Sequence, residues 1–455
     1  MPRKTVNVPS PGNAELGRTG LKQTGGYVRE DFLPEFTGSR KYKILTEMVD
    51  NEPLISGTYF AIRQLIKQVK WCVEPASDSA EDKANAEFVE SCLHDMSQSW
   101  EDTLDEILSF IVMGFSVHEI VYKIRDGSNN PDSSRRSKYS DGKFGWRKLP
   151  IRAQETIDQW GFAPDGGVTG CVQRTEDAAA YPVFLPIEKM LLFRTVNYKN
   201  NPEGKSIFRA SYVPYYYKKR IQSHEAIGIE RELNGIPVAS IPAKFMHTNA
   251  SAAERQVFSD YKNLVRNIRS DDQVGMVLPS DTFQNNTSAN RMFDVKLLST
   301  QGRRAIDTEV VIGRYNREIL ITVMADFMLL GHEGVGSYAL SSDKTTLFAT
   351  AVAGFMTQIA TVFNKHAIPR LLALNNLKPK ELPVLKHGDI EHENVKEFAS
   401  AMKDLKAAGF QVTDPKLHTE ILRRMGFDDT DESGESQMEI VEEPAPVGGS
   451  GGGPE

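Results

Sequence analysis

RYNREILITVMADFMLLGHEGVGSYALSSDKTTLF, residues 314–348, is the stretch that decides the fold. Its first half carries apolar residues at helical spacing: Ile306, Val310, Tyr315, Ile319, Val323 and Phe327 share one side of a helix predicted over 302–329. Gly331, Gly334 and Gly336 then fall within six residues, and so dense a glycine run favours a loop that can move. An alanine-rich helix follows over 343–366 and should stop before Pro369. The pattern is long helix, glycine loop, long helix.

Upstream stands a matching rod. SIFRASYVPYYYKKRIQSHEAIGIEREL predicts a second long helix, kinked by or starting at Pro214 and about 30 Å long from there to Leu233. Between the two rods lies a small α/β unit, 235–301: strand GIPVASIP, a helix with Val257, Tyr261, Leu264 and Ile268 on one face, then strands QVGMVLPSD and MFDVKLLS. Ahead of the first rod, 46–205 reads as an α+β lobe. Order should begin near Pro53, with Ile55, Tyr59, Ile62, Ile66 and Val69 on one helix. Helices over 80–97 and 100–113 follow, the second ended by Gly114, and then strands FSVHEIVYKIRDG, GWRKLPIRAQ, TGCVQR and KMLLFRTV. Residues 1–45 read as a flexible arm, 377–429 as a closing region with helices at 393–407 and 415–425, and 430–455 as a disordered acidic tail.

The charge balance narrows the function. Of the net −7, residues 428–455 hold nine acids and no Lys or Arg, so 54 cations face 52 acids over the rest. A near-neutral body is not built to grip DNA through many phosphate contacts, which needs clustered cations. Cys72, Cys92 and Cys171 are scattered and odd in number, as expected of buried thiols in a reducing compartment. The start of the chain lacks an apolar run, so no secretory leader is expected there. Leu347–Phe363 approaches membrane-spanning length, but its Thr residues and Gln358 favour a helix packed inside protein.

The search for chemistry returns little. EGKS at 203–206 lacks the glycine of a phosphate-binding loop, Lys199 standing in its place, and reads as a turn capping the next helix through Ser206. His332 and Glu333 have no second histidine at 336. His387, Asp389, Glu391, His392 and Glu393 could gather on a metal, though a solvated strand leading into a helix accounts for them as well. His118 and His224 lie on regular elements and read as structural. No catalytic, cofactor or metal site is therefore expected. Basic clusters are modest: Lys218, Lys219 and Arg220 beside Tyr215–Tyr217 read as a helix face with packed aromatics. Arg303, Arg304, Arg314 and Arg317 are offset by Asp307, Glu309, Glu318 and Asp326.

The motifs as a set carry a resemblance. NPEGKSIFRASYVPYYYKKR, the exit Glu232-Leu233-Asn234-Gly235-Ile236-Pro237 and, above all, GSYAL at 336–340 inside the 314–348 stretch resemble the portal proteins of Mu-like tailed phages, over about 50–425. The resemblance implies an α+β portal-type fold: wing 46–205, stem helix 206–234, clip 235–301, stem helix 302–329, tunnel loop 330–342, a long wing and crown helix 343–376, and crown 377–429. It implies a non-enzymatic ring of about twelve copies at one capsid vertex. Double-stranded DNA would pass through it during packaging and ejection. Its partners would be the terminase large subunit, the major capsid protein, a head–tail adaptor and a scaffold, with no membrane and no cofactor. Its places would be the virion and, during assembly, the host cytoplasm. The residues implied to touch DNA are Gly331, His332, Glu333, Gly334, Val335, Gly336, Ser337 and Tyr338, with Arg303, Arg304, Arg314 and Arg317 as stem or channel charges. Two other readings stand beside it: another ring-shaped head or neck component, and a metal-dependent enzyme using 387–393.

Overall fold

The structure, a computed structural model, describes residues 17–174, 182–234, 236–267, 292–298, 307–329 and 338–390. The order is β1 (Gln23–Thr24), β2 (Tyr27–Val28), α1 (Arg40–Asn51), α2 (Pro53–Gln68), β3 (Trp71–Glu74), α3 (Ala80–His94), α4 (Trp100–Ile107) and α5 (Ser109–Met113). Next come β4 (Phe115–Glu119), β5 (Val121–Ile124), β6 (Phe144–Lys148), β7 (Ile151–Arg152), β8 (Ile157–Phe162), β9 (Val168–Gln173), β10 (Val183–Pro186) and β11 (Met190–Arg194). The chain then runs through α6 (Tyr212–Asn234), β12 (Ile236–Ser240), α7 (Ala252–Asn267), β13 (Asp294–Leu298), α8 (Thr308–Ile321), α9 (Tyr338–Val362), α10 (Ile368–Leu374) and β14 (Val384–His387).

The lobe ahead of α6 is built on local signals that the chain carries plainly. Ser79 and Ser99 cap α3 and α4 by accepting the amides of Asp82 and Asp102 at 3.2 and 3.0 Å. Gly114 closes α5 at φ 93°, its amide donating to the Phe110 carbonyl at 2.8 Å. The sheets are small and antiparallel: β11-β4-β7, β10-β9-β8, β5 with β6, and β14 with β3. Helix α9 crosses this lobe and buries Phe348, Val352, Met356, Ile359 and Phe363, a helical repeat, in the same core as Ile62, Ile66, Trp71, Leu104, Phe110 and Trp146. Phe363 is its hub, with Trp100, Phe193 and Trp146 ring centroids at 5.3, 6.0 and 6.2 Å.

Four expectations change. The stretch before residue 45 is not a loose arm where it is described: Val28, Phe36, Tyr42 and Leu45 are buried, and α1 begins at Arg40. The apolar positions Tyr42, Leu45 and Met48 are spaced for a helix, but the cations around them hide the pattern. Strand β8, IDQWGF, also went unread. It is broken by a register shift and carries a glycine, which blurs its alternation.

The second rod is not continuous to 329. Helix α8 stops at Ile321; Met324 takes a left-handed φ of 58°, the Ala325 amide returns to the Leu320 carbonyl at 2.9 Å, and a 3-10 turn covers Asp326–Leu329. The reversal turns Val323, Phe327 and Leu329 onto the core and buries Ala325, which a straight helix would carry past it. Conversely, the helix over 343–366 does not stop before Pro369. It begins at Tyr338 and runs through a π turn, Phe363–Ala367, into α10. Pro369 sits in the first turn of α10, where a missing amide hydrogen costs little. The closing helices 393–407 and 415–425 and the acidic tail lie outside the described residues.

Helix α6 starts at Tyr212, so Pro214 falls in its first turn rather than breaking it. It spans 23 residues, about 35 Å. α6 packs antiparallel on α8, and between them in sequence β12 pairs with β13 and α7 packs on β12. Helix, insert, helix is thus the order of the described residues, while the strand expected at QVGMVLPSD lies outside them.

Candidate functional site

The reversal at the base of α6 is where the lobe grips the helix pair. Gly204 (φ 52°) and Gly114 (φ 93°) meet back to back: a Cβ on Gly204 would stand 2.2 Å from the Gly114 carbonyl oxygen, and one on Gly114 would stand 2.6 Å from that of Glu203. Only glycine permits that approach. Ser206 then caps the 3-10 turn Ile207–Arg209 by accepting the Phe208 amide at 3.1 Å, as expected for EGKS. The hollow beside it, about 390 Å³, is walled by ion pairs and does not cradle phosphate: Lys41 holds Glu203, Lys199 holds Glu30 at 3.1 Å, and Arg209 forks onto Asp31 at 2.6 and 2.7 Å. Burial pushes the Asp31 carboxyl up, but the Arg209 fork and the Leu33 amide outweigh it, and the net shift is downward.

The first basic cluster is split between core and surface. Lys218 is buried and donates to Glu52 at 2.6 Å, which is buried too. Lys219 pairs with Glu47, which also accepts the Tyr215 hydroxyl at 3.0 Å. The Lys219 ammonium is the main cause that holds the Glu47 carboxyl below its ordinary value. Lys219 and Arg220 are exposed, and Arg220 donates to the Tyr216 hydroxyl at 3.1 Å. Glu47 and Glu52 were not singled out from sequence; their pairing with a helix more than 160 residues away has no local signal.

Beyond this clamp, the helix pair loses support. No residue of α6 from Lys219 to Ile229 is buried, nor any of α8 before Ile319. Yet Tyr216, Tyr217, Ile227, Ile229, Val310 and Ile321 are exposed, Val310 by 68 %. Two helices that keep so much apolar surface in water are not stable on their own.

Of the sequence-derived DNA contacts, Gly331, His332, Glu333, Gly334, Val335, Gly336 and Ser337 lie outside the described residues, as do Arg303 and Arg304. Tyr338 is the first residue of α9. Arg314 and Arg317 sit exposed on α8. Arg314 lies over the Tyr315 ring at 4.8 Å and 3.7 Å from Glu318.

Of the candidate metal residues, only His387 and Asp389 are among the described ones. Among the described residues no three of His, Cys, Asp and Glu come together. His387 is engaged by Thr357 at 3.2 Å, the Gly388 carbonyl at 2.9 Å and the Trp71 ring; Glu391, His392 and Glu393 lie outside the described residues. Burial pulls His118 down to about 4, although its Nδ1 bonds the Leu149 carbonyl at 2.8 Å, so it is a neutral core group. Cys92 and Cys171 are buried, and burial pushes their thiols up to about 11 and about 12. The segment Lys344–Leu374 is long and apolar enough to cross a membrane, but one face of it fills the lobe's core.

Comparisons with known proteins give one family model and several solved structures of similar fold. The model of the portal protein of Mu bacteriophage matches residues 42–422. A chain from the neck of an empty gene transfer agent particle, a C6-symmetric structure, shares the fold at TM-score 0.50 and 14 % identity, over 83 % of this chain and 93 % of that one. A chain from the virion of a native gene transfer agent gives TM-score 0.50 and 13 % identity over 84 % and 92 %. An HK97-family phage portal protein from Corynebacterium diphtheriae gives 0.37 and 10 % over 76 % and 94 %. No curated protein matches in sequence.

Proposed function

The chain belongs to the family of the portal protein of Mu bacteriophage, and from that premise we propose how its parts serve a ring that carries double-stranded DNA into and out of a capsid. The family is structural and non-enzymatic, and a portal ring for DNA packaging is the function it supports. The observation that carries the assignment is the family match over 42–422; the bare α6–α8 pair agrees with it, since neighbours in a ring would bury what one chain leaves wet.

In this reading the lobe through Arg209, with α9 and α10, is the wing, α6 and α8 are the stem, and β12, α7 and β13 belong to the clip. The ring has about twelve copies. The clip docks the terminase large subunit during packaging and a head–tail adaptor afterwards, while the wing faces the major capsid protein, with a scaffold during assembly in the host cytoplasm. The segment 330–337 ahead of α9 touches the DNA, and the stem arginines lie on the surfaces of the stem ring. Weak, replaceable contacts suit this role, because strong phosphate clamps would oppose sliding.

Electron microscopy of the purified full chain tests the assignment. Annular particles with an axial opening wide enough for a duplex are expected; compact monomers with no opening would refute it. Deleting 331–341 should leave the annuli intact but yield heads that do not keep full-length DNA, and normal retention would remove the loop from the mechanism.

A further inference from the structure

The outer faces of the stem helices are complementary to each other, and we infer that the α6 face of one copy docks on the α8 face of the next, with Tyr216 on Arg317, Arg220 over Gly313 and Ser223 against Val310. The inference rests on the ring reading above and names the contact that closes it.

Two ties fix the level of α6 on α8 within one chain. Ser211 shares a hydrogen bond with Thr322 at 2.5 Å at the wing end, and Thr308 donates to Glu225 nearer the clip. Both helices advance by the same number of residues between these ties, so they run antiparallel without slip. Residues whose numbers sum to the same value then stand level: Tyr216 with Arg317, Arg220 with Gly313, and Ser223 with Val310.

The faces follow from helical periodicity. On α6, half-buried Ile221 and Glu225 turn toward α8, so Tyr216, Arg220, Ser223 and Ile227 line the far side; all four are exposed. On α8, Thr308, Val311, Ile312 and Tyr315 are half-buried, and Val310, Arg314, Arg317 and Ile321 line its far side, also exposed. The two stripes have the same spacing and lie on opposite sides of the pair. That is the arrangement of a head-to-tail interface, in which each copy offers one patch forward and a different one back.

At equal height, the matched residues suit each other. An arginine meets an aromatic ring, which it attracts over the ring face. Arg220, already drawn over Tyr216 at 5.5 Å from the centroid, meets Gly313, around which a Cβ would find nothing within 4 Å. Val310 meets Ser223 and lies one turn from Ile227. Long side chain stands over bare backbone, and the apolar ends fall together. A stripe lining the DNA path would have no need of Val310 and Ile321 at its ends.

Cysteine cross-linking of the full chain tests this. Ser223 and Val310 of one chain lie on opposite outer faces, so a Ser223→Cys, Val310→Cys double variant can join only different copies. Mild oxidation of its assembled particles should give a ladder of covalent multimers rising to the full ring, while each single variant gives none. Annuli seen by microscopy without that ladder would overturn the contact and leave the ring reading standing. Failure of the unmodified chain to form annuli would overturn both. Gly313→Trp should lower the annular fraction at least tenfold with the subunit's own melting unchanged; undiminished annuli would contradict the contact. So would an Arg317→Glu variant that keeps its annuli but loses packaged DNA, which would place the α8 stripe on the channel.

Discussion

The lobe around Phe363 and the α6–α8 helix pair, proposed above as wing and stem, are made of similar residues but held in opposite ways. In the wing, Phe363 is fully buried among Trp100, Trp146 and Phe193, and α9 threads a core that also takes in α2, α4 and β3. In the helix pair, no residue of α6 from Lys219 to Ile229 and none of α8 before Ile319 is buried, and Ile227, Ile229 and Val310 stand in water. Hydrophobic residues are buried in one region and exposed in the other, and the boundary is drawn by polar contacts: the buried Lys218–Glu52 pair and the Ser211–Thr322 tie. On the proposed reading, a lobe with its own core presents a helix pair that neighbours complete.

Perturbing each side should separate the two. The largest effect belongs to Phe363→Ala, which leaves a large cavity at the aromatic hub. It should cost about 4 kcal/mol of subunit stability, read by denaturant unfolding. A loss under about 1 kcal/mol would mean the wing is not held there. At the boundary, Glu52→Gln strands the Lys218 ammonium away from water and should cost about 3 kcal/mol. Unchanged unfolding would show that the pair is not buried in solution.

A gentler probe is acid. His118 is neutral in the folded wing, with its pKa pulled down to about 4 by burial, whereas in the unfolded chain it titrates near its ordinary 6.5. Between those values the unfolded state binds the extra proton. This contribution is therefore whole above pH 6.5 and is lost as pH falls toward 4, with a slope of up to about 1.4 kcal/mol per unit. Replacing His118 by Gln should flatten that part of the stability curve; an unaltered slope would assign it elsewhere. The smallest effect on the subunit belongs to the stem: Ile227→Ser should shift monomer unfolding by less than about 0.5 kcal/mol while weakening assembly. A large monomer effect would mean the stem is buried within one chain.

What could be read in the sequence follows the same division. The two rods and the insert between them were legible because their signals are local: apolar residues at helical spacing, and Pro214 in the first turn of α6. Amphipathic spacing and Gly114 marked the helices over 80–97 and 100–113, though not the division of the second into α4 and α5. Long-range packing was hidden. The break at Met324 follows from where Ala325 and Phe327 must be buried, and the π turn at Phe363 lets α9 keep its hub in the core and still pass Pro369. The Gly114–Gly204 contact and the Glu47 and Glu52 clamps join parts distant in the chain. Function was legible as a set of motifs, whereas the loop implied to touch DNA falls largely outside the described residues.

Hydrogen exchange, measured on assembled particles and on subunits diluted until they separate, tests the division most directly. Amides of α2, α4 and α9 should exchange slowly in both, while those of 219–229 and 308–318 should be slow only in the assembly. Equal protection of the stem in separated subunits would contradict the claim that neighbours complete it.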